Sequence, residues 1–350
     1  MAREITLSVD AMGGDAAPAI VMDGILEAHL RYPKVRYLVH GRREAIQSFL
    51  DSNPALKKCC EIRHSEDVIS GEQKVSQAIR QGRNSSMWNA IDAVKTGDAH
   101  GVVSAGNTGA LMAMAKLSMR TLPGIDRPAI CSLFPNEVGE TTMLDLGANA
   151  QCDVRNLVEF AVMGACFIRA ISGIEMPRVG LLNIGSEDLK GTDLLRDAAA
   201  ILKDADLAMD FVGFIEGDDI TLGTVDVVVT DGFTGNVSLK TAEGTAKLYS
   251  QFLRSAFKSS ILAKLGFLLI KPVLSKVMIR LDPRRYNGAL FVGLNGVAVK
   301  SHGGTDALGF ANAIAVAVDM VERDLNSGIG EQLTHLSFDS VGSIQAAKTA

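Results

Sequence analysis

An apolar strand, a glycine-rich polar loop and a helix follow one another again and again along this chain, and no other feature limits its fold so strongly. The clearest copy is DVVVTDGFTGNVSLKTAEG at 226–244. Its three consecutive valines suit a strand buried on both faces, as in a parallel sheet. Asp231, Gly232, Thr234, Gly235 and Asn236 then make a polar turn that opens a helix. Several unpaired backbone N–H groups and the positive helix end are expected to face one small space there. An anion suits such a space. Lys240, one helical turn beyond Asn236, is expected on the same face. The plainer reading of this stretch alone is an ordinary capped helix after a strand.

Strands are expected at 5–10, 36–40, 61–64, 101–104, 179–183, 209–214 and 226–230, with helices from about Pro18 and at 87–96, 110–119 and 154–172. Two further pairs, 129–134 with 141–145 and 288–293 with 297–300, are short-linked and read as antiparallel. The expected fold is therefore α/β with a mixed, mostly parallel sheet. Six polar loops leave strands at their carboxyl ends, at 10–15, 104–109, 145–149, 183–193, 230–236 and 301–305. In open α/β sheets ligands bind at that edge, so one site built from many loops is expected. The length of 350 residues suits two domains or one large intertwined unit. The expected division is 1–128 with 286–350 as the first subdomain, and 129–285 as the second.

Five cysteines, odd in number and without C-x-x-C spacing, argue against a disulfide framework or a zinc knuckle and for a reducing cytoplasm. No apolar run approaches the roughly 20 residues needed to span a bilayer, and no charged-then-apolar leader precedes the first strand. The net charge of −5 gives no reason to expect nucleic acid. That charge is uneven: 244–281 holds no acid and seven basic residues, so the rest of the chain carries −12. No G-x-G-x-x-G follows the first strand, and there is neither a Walker loop nor a G-x-S-x-G elbow.

DAMGGD at 10–15, SAGNTGAL at 104–111, LDLGAN at 144–149, NIGSEDLKG at 183–191, TDGFTGNVSLKT at 230–241 and YNGALFVGLNGVAVKSHG at 286–303 occur together. Jointly they resemble the bacterial phosphate acyltransferase family of phospholipid synthesis over nearly the whole chain, least in the basic segment. The resemblance implies transfer of a fatty acyl group from acyl carrier protein to inorganic phosphate, giving acyl phosphate. It implies a three-layer α/β/α homodimer similar to isopropylmalate dehydrogenase and phosphotransacetylase. It also implies a next acceptor in the bilayer, the membrane glycerol-3-phosphate acyltransferase. Lys190 and Asn236 match the family's active-site lysine and asparagine.

The chemistry agrees. Phosphate is already an oxygen nucleophile near neutral pH, and a phosphopantetheine thiolate leaves readily. Stabilising the tetrahedral oxyanion is the main task left. Lys190 and helix N-termini are assigned to phosphate, and the Asn236 amide to oxyanion or phosphate. Gly13, Gly14, Asn107, Thr108, Asn149, Glu187, Asp231, Gly235 and His302 stand in the same loops and are expected to bind substrate, although several, His302 first among them, suit hydrogen bonds within the loops. Asp10, Asp145, Asp231 and Asp306 show no spacing that specifies coordination, so neither a metal nor another cofactor is expected. Met112, Met114 and Met119 suit core packing better than an acyl groove.

The basic segment is expected to form a helical arm at about 257–281 lying on the inner membrane surface without crossing it, so that the protein is cytoplasmic and peripherally membrane-bound. Ile261, Leu262, Leu265, Leu268 and Leu269 fall on one stripe flanked by Lys264 and Lys271, while Phe267 and Ile270 project elsewhere. Pro272 is expected to end or kink the helix. The alternative is a helix pair buried against a second subunit. Arg254, Lys258, Arg284 and Arg285 are expected to dock the acidic carrier protein. Two other functions are weighed: a metal- and NAD-dependent decarboxylating dehydrogenase on the same fold, which would need clustered arginines and spaced acids, and a non-enzymatic membrane adaptor, for which six polar loops are superfluous.

Overall fold

The computed structural model describes residues 4–280 and 282–336. Its strands are β1 (Thr6–Asp10), β2 (Arg36–Gly41), β3 (Cys60–His64), β4 (Gly101–Ser104), β5 (Ala129–Pro135), β6 (Glu140–Leu144), β7 (Arg178–Leu182), β8 (Asp210–Ile215), β9 (Val227–Val229), β10 (Ala289–Val292) and β11 (Val297–Lys300). They form one 11-stranded sheet in the order β3-β2-β1-β4-β11-β10-β5-β6-β9-β7-β8. Strands from 129–285 make up one end of this sheet, and those from the flanking segments the other. The outermost parts of the expected first subdomain, 1–3 and 337–350, lie outside the described residues.

The helices used below are α1 (Ala19–Arg31), α2 (Ser86–Lys95), α3 (Thr108–Met119), α4 (Val154–Ser172), α5 (Asp193–Asp204), α6 (Gly232–Lys258), α7 (Ile261–Arg280) and α8 (Ala307–Glu322). Alternate strand residues serve two cores. Val103, Val227, Val229 and Val299 join one with α1, α4, α5 and α8. Val102, Val228 and Ala298 join the other with α2 and α3. Helices thus cover both faces, which is the three-layer α/β/α arrangement with its mixed sheet. Met114 and Met119 are core residues of the second layer. Helix α8 is followed by another, Leu325–Leu333.

Both expected hairpins are antiparallel, β5 with β6 and β10 with β11. They also pair with each other, since β10 runs antiparallel to β5. Three successive reversals therefore separate β11 from β6. As a result β1, β4 and β11 run in one sense, and β6, β9 and β7 in the other.

Helix α4 is fixed at both ends by sequence. Asp153 and Asn156 form a reciprocal capping box, and Gly173 closes the helix at φ 70° in the left-handed region. Between them, Asn156 to Ile168 are buried throughout. Gly164 lets this helix lie directly on β9: a Cβ there would stand 2.5 Å from Val227 Cγ1 and 2.8 Å from Leu144 Cδ2.

Beyond Gly244, α6 leaves the body of the protein, and α7 folds back along it. Phe257 and Phe267 stack at 4.9 Å between the two helices, so Phe267 indeed points away from the predicted stripe. The stripe itself is open: Ile261 is 84% exposed, Leu262 81% and Leu269 78%. Of the end or kink expected at Pro272, the end is absent: α7 runs through it. Leu281 lies outside the described residues, as do the side chains of Lys276 and Arg280. Among the described residues, no helix is long and apolar enough to cross a membrane.

The close seat of α4 on β9 is tested by Gly164→Val, which should lower the urea-unfolding free energy by roughly 1–3 kcal/mol, the usual cost of overpacking a filled core. A variant as stable as the parent would show that the helix can shift without cost.

Candidate active site

The contacts of the six loops fall into two groups, one on each side of the mid-sheet reversal in strand sense. The first stands at the ends of β1, β4 and β11. Asp10 is buried, and its carboxylate accepts the hydroxyls of Ser86 and Ser104, each at 2.7 Å. Burial pushes its pKa up from the ordinary carboxylate value. Gly13 and Gly14 fit only without side chains: a Cβ on Gly13 would meet Gly106 N at 2.6 Å, and one on Gly14 would meet Ala105 Cβ at 3.1 Å. The Asp15 N–H donates to Gly303 O at 2.9 Å. Lys300 donates to Ala105 O at 3.3 Å and to Ser301 O. Burial pulls its ammonium down to about 8.

Three expected residues stand in this group. Asn107 caps α3 by accepting from Ala110 N, and its amide donates to Gly71 O and Gln73 O. Thr108 is the first residue of that helix. His302 turns back on its own loop, its Nδ1 accepting from Gly304 N at 3.1 Å.

The second group stands at the ends of β6, β9 and β7, and its centre is Asp145. Fully buried, this carboxylate accepts the backbone N–H groups of Ile130, Gly147, Ala148 and Asn149 at 2.7–3.1 Å, and the Asn149 amide at 2.9 Å. Helix α6 starts against it. A Cβ on Gly235 would lie 2.0 Å from Asp145 O, and one on Gly232 2.8 Å from Asp145 Oδ2. Only glycine permits so close an approach.

The open helix end expected at α6 is largely filled by the protein's own acceptors. Asp231 accepts from Thr234 N and Thr234 Oγ1, both at 2.8 Å. Gly232 N donates to Asn149 O, and Gly235 N to Asp231 O. The Asp231 carboxylate adds a negative charge at the same place. Lys240 pairs with Glu243 at 2.8 Å, which occupies the charge expected beside Asn236.

Asn236 and Lys190 come from the loops of adjacent strands, β9 and β7. Asn236 Nδ2 donates to Leu146 O at 3.0 Å, which ties it to the Asp145 loop. The amide has a second hydrogen, and its side chain is exposed. Lys190 is also exposed. Its backbone is held by Asn183, whose amide donates to Lys190 O at 3.2 Å, and by the bond from Lys190 N to Glu187 O at 2.9 Å. Among the described residues no carboxylate forms an ion pair with it. Glu187 lies on the same turn, its Oε2 2.7 Å from where a Gly185 Cβ would stand.

The family model for fatty acid synthesis protein matches residues 5–327. The chain belongs to that family. Among its curated relatives, "Phosphate acyltransferase" of Rhodospirillum rubrum is 60% identical over 333 residues, 95% of each chain. "Phosphate acyltransferase" of Paramagnetospirillum magneticum is 57% identical over 347 residues, 99% of each. Solved structures share the fold at low identity. EutD phosphotransacetylase from Staphylococcus aureus superposes with a TM-score of 0.57 at 15% identity, over 93% of this chain and 95% of that one. A phosphotransacetylase from Streptococcus pyogenes gives 0.59 at 17% identity, over 91% and 94%.

In this member of the fatty acid synthesis family, the four acids weighed for metal coordination each have another task. Asp10 and Asp145 hold loops, Asp231 caps α6, and Asp306 caps α8 through Gly309 N while pairing with Arg284 at 2.9 Å. Arg284 also chelates Asp282. Sequence reading passed over Asp145 as the organiser of the site. The signal available was an acid placed where an apolar strand ends and the glycine and asparagine of LDLGAN follow.

Asp145→Asn replaces an acceptor of five bonds with a group that must turn N–H toward N–H. It should cost on the order of 3 kcal/mol of unfolding free energy, because several buried donors lose their partner together. Amide exchange at 147–149 should quicken more than exchange in α4. Unchanged exchange in that loop would show that Asp145 does not hold it.

Proposed function

We propose that the chain transfers a fatty acyl group from the phosphopantetheine thioester of acyl carrier protein to inorganic phosphate. A phosphate oxygen attacks the thioester carbonyl carbon and the C–S bond breaks. The products are acyl phosphate and the free carrier thiol. The observation that carries this reading is the pair of side chains at the ends of adjacent strands: an exposed lysine with no ion-pair partner among the described residues, and an asparagine amide tied at one hydrogen. The names of the close relatives support the same reaction. Because Asp231 and backbone acceptors occupy the start of α6, Lys190 supplies the main attraction for phosphate. The second hydrogen of the Asn236 amide is the donor for the developing oxyanion. One preorganised donor of this kind is worth roughly 3 kcal/mol in the transition state.

The test is incubation with acylated carrier protein and radioactive phosphate, followed by assay for hydroxylamine-sensitive acyl phosphate. Product should form, and Lys190→Ala and Asn236→Ala should each lower turnover by more than tenfold while remaining folded. Normal rates in either variant would remove that residue from the site. No labelled product with the unaltered protein would sink the reaction.

The arm of α6 and α7 accounts for where the product goes. Acyl phosphate is amphiphilic, and an acceptor enzyme in the bilayer, the membrane glycerol-3-phosphate acyltransferase, suits it. The open stripe of Ile261, Leu262, Leu265, Leu268 and Leu269 has the composition of an interfacial helix. Lys264 and Lys271 on its flank would each add up to about 1 kcal/mol on an anionic surface. Arg254, Lys258, Arg284 and Arg285 are assigned to the acidic carrier, with binding that weakens as salt rises. Flotation with anionic liposomes should capture the protein and fail for Leu265→Glu, Leu268→Glu. If that variant instead loses its dimer, the stripe is a subunit interface and not a membrane face.

A further inference from the structure

A cavity of about 250 Å³ opens between β2, β3 and α2, and none of the residues assigned to acyl transfer lines it. His40 stands in its wall. This ring is only 5% exposed, yet neither of its nitrogens has a hydrogen-bond partner within the protein. Buried polar groups nearly always have one, so two unmet ring nitrogens facing a cavity point to a ligand. Burial, reinforced by the Arg63 charge, pulls His40 down to about 4. The ring is therefore neutral at physiological pH and offers one donor and one acceptor.

The charges around the cavity decide the kind of ligand. Arg63 lines it but already pairs with Glu61 at 2.7 Å. His64 accepts from Arg43 N at 3.3 Å and lies 3.6 Å from Glu66. Asp92 and Asp98, on and just after α2, also line the cavity. Neither has an ion-pair partner among the described residues. The unneutralised charge is thus two carboxylates, which favours a cation. Among the described residues no three His, Cys, Asp or Glu side chains are grouped to hold a metal ion, so the charge belongs to an organic molecule. The volume admits one of modest size.

We propose that this cavity binds a small polar organic cation, an alkylamine or guanidine, with its charge held by Asp92 and Asp98 and its far end hydrogen-bonded to His40. The mouth, at Thr96 and Asp98, is exposed, so entry needs no opening of the fold.

The chain has six histidines, which makes the imidazole carbon–proton spectrum of histidine-labelled protein simple enough to assign by single substitutions. Agmatine, which carries both an ammonium and a guanidinium, is the probe. Its addition in the millimolar range should shift the His40 and His64 resonances saturably while leaving His302 in place. Asp92→Asn, Asp98→Asn should weaken that binding at least tenfold and leave acyl transfer unchanged, which shows that the variant is folded. Inorganic phosphate and citrate should leave His40 and His64 unmoved. The proposal is overturned by no saturable shift with agmatine, by shifts that persist in the double variant, or by saturation with either anion.

Discussion

One buried carboxylate holds the end of β6, the loop after it and the start of α6 in a single arrangement. Asp145 gathers four backbone N–H groups and the Asn149 amide. A lone carboxylate in an apolar interior is costly, and a full set of donors is what makes its burial tolerable. Once Asp145 is fixed, Leu146 O is fixed, and with it the amide of Asn236. Glycines at 232 and 235 let α6 close on this loop. The exposed amide at the site therefore rests on a buried, rigid base rather than on a free loop, as preorganised donors require.

The reversal of strand sense through β11, β10, β5 and β6 is the second constraint. It assigns the glycine loops of β1, β4 and β11 to one group and those of β6, β7 and β9 to another. The first group is knit by Asp10, Ser86, Ser104 and the Asp15–Gly303 bond. Its glycines serve close backbone packing. The second group carries the exposed lysine and asparagine. Similar-looking motifs thus do different work in the two groups.

Local order was plainly legible in the chain. Strand 101–104, strand 297–300 and helix 154–172 stand where the sequence pattern puts them. Features set by distant partners were not. Each hairpin can be read from its own turn, but the pairing of β10 with β5 joins residues more than 150 apart in the chain, and no local pattern encodes it. The start of α6 looked open because its glycines and polar residues suit an anion. Only the fold shows that Asn149 O and the Asp231 carboxylate take those N–H groups. Pro272 reads as a helix end or kink, and α7 passes through it on an exposed arm. Lys190 and Asn236 stand out in the sequence because family motif and strand end coincide there, whereas a buried hub such as Asp145 leaves no periodic trace.

In the proposed reaction phosphate itself is the nucleophile and its oxygen becomes the bridge in the product. The most direct measurement is mass spectrometry of acyl phosphate made from acylated carrier protein and phosphate labelled with heavy oxygen at every position. The product should retain every labelled oxygen of the phosphate, including the one bonded to the acyl carbon. Free fatty acid as the first product, or acyl phosphate whose bridging oxygen is unlabelled, would contradict direct attack by phosphate at this site.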